Sequence, residues 1–188
     1  MGHYWLPPYL KKFKEEYPAI LLDIDIRTGY TDLTKREADI VVSAVNQHPD
    51  YMVGKILAPI ELVLYASREY VEKWGRPKVP QDLAAHRLLI LNEELREIGF
   101  NEWLKNLVPK SAISVSCNML TSLYRYAREG LGIAPLPNYV GEQDSNLVRI
   151  MDVPKRFYPD IWILTHPDLK NTQRIKAFMR FMYSETKK

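Results

Sequence analysis

The chain has 188 residues, 46% of them hydrophobic, with 26 basic and 23 acidic side chains interleaved to a net charge of +3. That length suits one ordinary domain or two small ones, and the charge is too mild for a surface that grips a nucleic-acid backbone unaided. A single cysteine, Cys117, excludes an intramolecular disulfide and a multi-thiolate zinc site, and no apolar run or leader predicts a membrane or export segment.

Leu6, Tyr9, Leu10, Phe13 and Tyr17 recur on one helical face, with Pro7 and Pro8 tolerated in the first turn and Pro18 closing the helix. "AILLDIDI" alternates Ile20, Leu22, Ile24 and Ile26 against a more polar face, which predicts a strand. "TDLTKREA" predicts a short helix with Thr31 as N-cap, and "DIVVSAV" a continuous apolar strand of the parallel kind. "ELVLYAS" is the next strand, then the helix "REYVEKWG" ending at Gly75, then a short helix and a strand in "VPQDLAAHRLLIL". Residues 92–110 are polar with anchors at Phe100, Trp103 and Leu107, and yield no clear assignment.

"AISVSCN" is a strand leading into "MLTSLYRYAREG", where Leu120, Leu123, Tyr124 and Ala127 share a helical face. Gly130 suits the left-handed residue that follows a helix, and residues 133–136 a short buried strand stopped by Pro137. The stretch "GLGIAPLP" is therefore a helix-to-strand reversal. "NLVRIMD" and "DIWILTH" are strands, and residues 171–184 form a closing helix with Ile175, Phe178, Met179 and Met182 inward. Strands alternating with helices predict an α/β fold with a mainly parallel sheet. Such a sheet normally begins with a strand, so a strand upstream of the first helix is expected.

Taken in order, five stretches resemble the effector-binding domain of LysR-type transcriptional regulators. "YWLPPYLKKFKEEYP" is similar to its first helix and "TGYTDLTKREADIVVSAV" to the following segment. "SREYVEKWGRPKVPQDLAAHRLL" resembles the middle signature, including Gly75, Arg76, Pro77, Asp82, Leu83 and His86. "REGLGIAPLPNYV" matches the glycine-rich reversal, and "NTQRIKAFMRFM" the closing helix. The resemblance implies a fold like the type II periplasmic binding proteins: two Rossmann-like α/β subdomains joined by crossover strands. Subdomain I would comprise residues 1–58 and 164–188, and subdomain II residues 59–163. The crossovers would lie near "ELVLYAS" and "DIWILTH", with a small effector in the cleft between. The family's winged helix-turn-helix and linker helix are not in this sequence, so DNA would be contacted only through that missing N-terminal domain. The resemblance further implies a homodimer, with a tetramer possible in the full-length parent. In that dimer the first helix of one subunit packs antiparallel against the Asn118–Glu129 helix of the other.

In this architecture helix N-termini face the cleft, and their free N–H groups and dipole suit an anion such as an organic acid or amino acid. One such helix starts near Tyr4 and the other near Asn118. The candidate effector contacts are Gly2, His3 and Tyr4, Thr28 and Gly29, Ser43 and Ala44, and Cys117, Asn118 and Met119. Thr28–Gly29 reads equally as a plain turn, and Asn118 also reads as a helix cap. Cys117 reads as a small buried residue rather than a sensor, and His86 as structural. The aromatics of "LYRYAREG" read as core or dimer contacts.

The four histidines, at 3, 48, 86 and 166, have no ligand spacing, so neither a metal nor a cofactor is expected. No nucleophile elbow, P-loop or dinucleotide fingerprint is present, and Ser43, His48 and Asp50 are close in sequence without forming a triad, so no enzyme is expected. The alternative to a cytoplasmic regulator's sensor is a free-standing solute-binding protein of the same fold. The sequence names no effector.

Overall fold

A computed structural model describes residues 1–27, 37–44, 50–92 and 100–187. In chain order the elements are α1 (Pro7–Glu16), β1 (Ile40–Ala44), β2 (Val53–Pro59), β3 (Leu62–Ser67), α2 (Arg68–Trp74), β4 (Leu88–Leu91) and α3 (Phe100–Leu107). There follow β5 (Ile113–Cys117), α4 (Leu120–Arg128), β6 (Ala134–Pro137), α5 (Asn138–Gly141), β7 (Leu147–Asp152), β8 (Asp160–Thr165) and α6 (Gln173–Glu185). The chain divides into two compact units: residues 1–59 with 160–188, and residues 60–159.

In the first unit, the apolar face predicted for α1 centres on Phe13. Its ring is fully buried, edge-on to Phe178 and Phe181 of α6 at centroid distances of 4.9 and 5.2 Å. Lys12 pairs with Glu185 at 2.9 Å across the same two helices. The sheet is three-stranded and antiparallel, in the order β1-β8-β2, so the strand at its centre comes from the far end of the chain. Gly54 lies so close to the Ile163 carbonyl that a Cβ would overlap it, which makes glycine a packing requirement of the β2–β8 ladder.

The strand expected at "AILLDIDI" does not form: residues 21–27 pair with no described strand. Leu21, Ile24 and Ile26 are exposed, Leu21 by 88%. Alternating apolarity predicts a strand only when a neighbour supplies hydrogen bonds and covers the apolar face. β1, the described edge, is paired with β8 alone. The helix expected over "TDLTKREA" falls largely on residues outside the described set, as do Thr28, Gly29, Thr31 and His48; Glu37 and Ala38, at its end, are not helical.

In the second unit β3 is central, between β6 and β7, and every one of its residues is buried. β4 and β5 form a parallel pair. Residue Ile133, just before β6, bridges to Leu88 in parallel sense, with Leu89 N–H donating to Ile133 O at 2.9 Å. That bridge joins the two ladders into one run, β5-β4-β6-β3-β7. The expectation of a mainly parallel sheet is corrected here: β1–β8, β2–β8, β3–β6 and β3–β7 are all antiparallel. The reason is topological, since β8 and β3 each run against both of their neighbours.

α4 buries Leu123 and Ala127. It ends in a Schellman motif: Gly130 N–H donates to Ala127 O and Leu131 N–H to Tyr126 O, both at 3.1 Å, with Gly130 at φ +75°. Asp144 accepts from Tyr124 Oη at 2.7 Å and from Arg128 Nε at 2.9 Å, one turn apart on the same helix. Burial alone would raise the Asp144 carboxyl; these bonds, with Asn146 N–H and the Arg128 charge, hold it below its usual value. α2 is capped by the buried Ser67 hydroxyl, which accepts from Tyr70 N–H at 3.1 Å.

Candidate functional site

Because β4, β5 and β6 share one direction, their C-terminal ends lie on one edge of the second unit, the edge at which ligands of α/β sheets are usually held. Each of the three is followed at once by an asparagine: Asn92 after β4, Asn118 after β5, Asn138 after β6. Asn138 is fully engaged, donating from Nδ2 to Glu61 Oε2 at 3.0 Å and accepting from Tyr139 N–H at 2.7 Å. It fastens α5 to the start of β3.

The other two are placed differently. Asn92 N–H donates to Cys117 O at 2.8 Å, extending the β4–β5 pairing by one residue. The carbonyl of the same peptide group, Leu91 O, accepts from Asn101 Nδ2 of α3 at 3.2 Å. In a trans peptide these two groups point opposite ways. The Asn101 amide therefore stands at the end of β4 on the side away from β5, toward β6. Asn101 is only 4% exposed, yet its Oδ1 has no hydrogen-bond partner among the described residues; the same holds for Asn92 Oδ1 and the Tyr139 hydroxyl. Burial pushes the Tyr139 phenol far above its ordinary range.

α4 starts at this edge. Its N-cap is Met119, not Asn118; no side chain caps the first turn and no acidic residue lies in it. The first amide to bond inward is Leu123 N–H, to Met119 O at 3.0 Å. The amides of Leu120, Thr121 and Ser122 therefore lack intrahelical acceptors. Cys117 is half-buried, its Sγ 3.5 Å from Met119 O, and burial pushes its thiol up rather than toward thiolate.

Among the residues expected on the first unit, Gly2, His3 and Tyr4 form a turn in which Met1 O accepts from Tyr4, Trp5 and Leu6 N–H. α1 begins after that turn, at Pro7, rather than near Tyr4. Pro7 and Pro8 have no N–H, and Tyr9 N–H is taken by Leu6 O at 3.0 Å, so the first turn of α1 presents no donors to an anion. Ser43 and Ala44 close β1, paired with Trp162 and Ile161. Asn92, Asn101 and Tyr139 were not foreseen as site residues; for Asn92 its place directly after an apolar strand was the available signal, and for Asn101 and Tyr139 there was none.

His86 belongs to a structural cluster. Tyr70 Oη accepts from Arg87 N–H at 2.9 Å and shares a hydrogen bond with His86 Nδ1 at 3.2 Å, while burial lowers the imidazole pKa. Among the described residues no group of three His, Cys, Asp or Glu side chains is arranged to hold a metal.

Fold and edge together define a ligand-binding α/β domain of the type II periplasmic-binding-protein kind. The chain belongs to the LysR substrate-binding domain family, whose model matches residues 1–187. It is 31% identical over 107 residues to an HTH-type transcriptional regulator of Xanthomonas campestris pv. campestris, spanning 57% of this chain and 31% of that protein. It is 26% identical over 191 residues to the HTH-type transcriptional regulator CrgA of Neisseria meningitidis serogroup C, spanning 96% of this chain and 62% of that protein. The solved regulatory domain of CrgA superposes with a TM-score of 0.82 at 24% identity, covering 97% of this chain and 92% of that one, a likeness of fold. The chain thus spans about a third to two thirds of the curated relatives it matches. Those relatives are transcriptional regulators, and the chain is a regulator-type binding domain rather than an enzyme.

Proposed function

We propose that this domain senses a small effector for a LysR-type transcriptional regulator, and that the effector carries a carboxylate or similar anionic group bound on the first turn of α4. The observation that carries the reading is that turn itself: amides without intrahelical acceptors, no capping side chain among the described residues and no acidic residue. Such a helix end carries about half a positive charge and favours an anion. Asn118 is exposed beside it and supplies a further donor. Contacts from Gly2, His3, Tyr4, Thr28, Gly29, Ser43 and Ala44, across an inter-subdomain cleft, rest on the family resemblance alone. So do a cytoplasmic setting, a homodimer built by α1 of one subunit on α4 of the other, and DNA binding through a separate N-terminal domain. Effector binding would act by preferring one dimer geometry, with a coupling of about 1–3 kcal/mol.

Met119→Asp tests the anion site. An aspartate at the N-cap satisfies the same amides from within and stabilises the helix by roughly 0.5–2 kcal/mol. Calorimetric titration with succinate, L-malate, L-aspartate, benzoate and salicylate should show affinity falling at least tenfold in this variant while the melting temperature holds or rises. Unchanged affinity, or no binding of any acid by the parent chain, removes the reading.

A further inference from the structure

Two buried amide oxygens without partners among the described residues belong to the end of β4, and they ask for something the anion site alone does not. A third unpartnered group, the Tyr139 hydroxyl, lies on α5 after β6. Asn92 Oδ1 and Asn101 Oδ1 are acceptors only, and the Tyr139 hydroxyl both donates and accepts. Buried side-chain acceptors are nearly always paired, because an unpaired one keeps its full desolvation cost. Their placement follows from the chain. The Leu91–Asn92 peptide group is held at one end by Cys117 O and at the other by the Asn101 amide, so both orphan carbonyls belong to the end of β4. Tyr139 is two residues past the end of β6, the neighbouring strand. β5, on the other flank, leads through Asn118 and Met119 into the uncapped turn of α4. Asn138, by contrast, has both ends of its amide satisfied, which shows what a purely structural asparagine looks like on this edge.

We infer that the effector carries a hydrogen-bond donor, a hydroxyl or amino group close to its anionic group, and that Asn92 and Asn101 accept from it, so that this pair selects hydroxy or amino acids over their unsubstituted analogues. This rests on the anion site proposed above for α4. Asn92, half-buried, makes the first contact, and Asn101 stands as the second acceptor at the same strand end. Discrimination of this kind is steep, because an analogue lacking the donor leaves the buried acceptors unpaired.

The test compares acids that differ by one group: succinate with L-malate and L-aspartate, and benzoate with salicylate, titrated calorimetrically into the parent chain, Asn92→Ala and Asn101→Leu. The parent should bind the substituted member of at least one set tenfold or more tightly. Both variants should lose that preference while retaining affinity for the plain acid. Asn101→Leu also takes the donor from Leu91 O and should melt lower than the parent, so its selectivity is read beside that of Asn92→Ala, which keeps that bond. Asn92→Ala, at a half-buried position, keeps the test informative if Asn101→Leu fails to fold. Equal affinities within every set overturn the inference and leave the anion site standing. So does a preference that survives both variants. Variants that melt lower with unchanged selectivity assign the two amides to structure, bridged by buried water, and overturn it as well. If no acid binds the parent and Met119→Asp changes nothing, the anion site fails first and this inference with it.

Discussion

The two units each leave something unmet, and what they leave is opposite in kind. In the first unit it is apolar: Leu21, Ile24 and Ile26 face solvent along an extended segment without a ladder, and every residue of β1 is only half-buried. In the second it is polar: β3 is buried from end to end, yet Asn92, Asn101 and Tyr139 hold unpartnered atoms at one edge. An exposed apolar face costs solubility and is relieved by covering it. A buried polar orphan costs stability and is relieved by a donor or acceptor of the right shape. The first is relieved by cover and the second by a hydrogen-bond partner, so in the reading proposed above it is the second unit whose unmet groups bear on ligand choice.

The largest test of this contrast is Phe13→Ala. Removing a fully buried ring that touches Phe178 and Phe181 should cost about 3–5 kcal/mol, confined to the first unit. Hydrogen exchange should then show amides of β1, β2 and β8 losing protection while β3 keeps its own; equal loss in both units would break the contrast. Gly130→Ala is the smaller counterpart in the second unit. It forces a Cβ onto φ +75° and to 3.2 Å from Ser67 Oγ, the cap of α2, at a cost of about 1–2 kcal/mol by urea denaturation. A neutral result would mean that the Schellman turn relaxes freely.

The smallest effect is a pH dependence. Burial lowers the His86 pKa below its unfolded value, with the nearby Asp82 charge opposing. The unfolded chain therefore binds the proton more readily. The stability gained from neutral His86 is complete above about pH 6.5 and is lost as pH falls toward the folded value. The difference in urea midpoint between parent and His86→Gln should shrink on going from pH 7.5 to pH 5. A constant difference would mean that burial in the folded chain does not lower the His86 pKa.

Local chemistry made much of this fold legible. "GLGIAPLP" could be read because a Schellman turn needs only glycine after a helix and apolar residues after the turn, all within eight positions. "REYVEKWG" was equally plain as a helix ended by Gly75, and the Ser67 cap at its start came only with the structure. "AILLDIDI" was misread because a ladder is not a local property: the alternation was real, and no described strand pairs with it. Strand direction was hidden for a related reason, as it depends on which segments become central, and β8 is central only through residues more than a hundred positions from β1. α3 went unassigned although Phe100 and Leu104, both buried, stand one turn apart, because Leu104 was not counted with Phe100 and Leu107. At the site, Asn118 and Met119 were visible from their place before a helix, but the cap fell on Met119. An unpartnered Asn101 cannot be seen in sequence, since its state is defined by what fails to approach it.

The position of β8 also bears on how the chain is made. Synthesis runs from the N- to the C-terminal side, so β1 and β2 emerge long before the strand that pairs with both, while residues 60–159 are complete by the time Asp160 appears. Ile60 N–H meets Pro159 O at 2.8 Å, so the second unit closes on itself as a loop whose ends touch. On the ribosome that unit is free to fold first, and its closure brings the segment entering β8 back beside β2. A long-range pairing whose loop-closure entropy would otherwise fall on a flexible hundred-residue chain is thereby made short. The inserted unit acts as a clasp for the first unit's sheet, whose central strand β8 follows it in the chain.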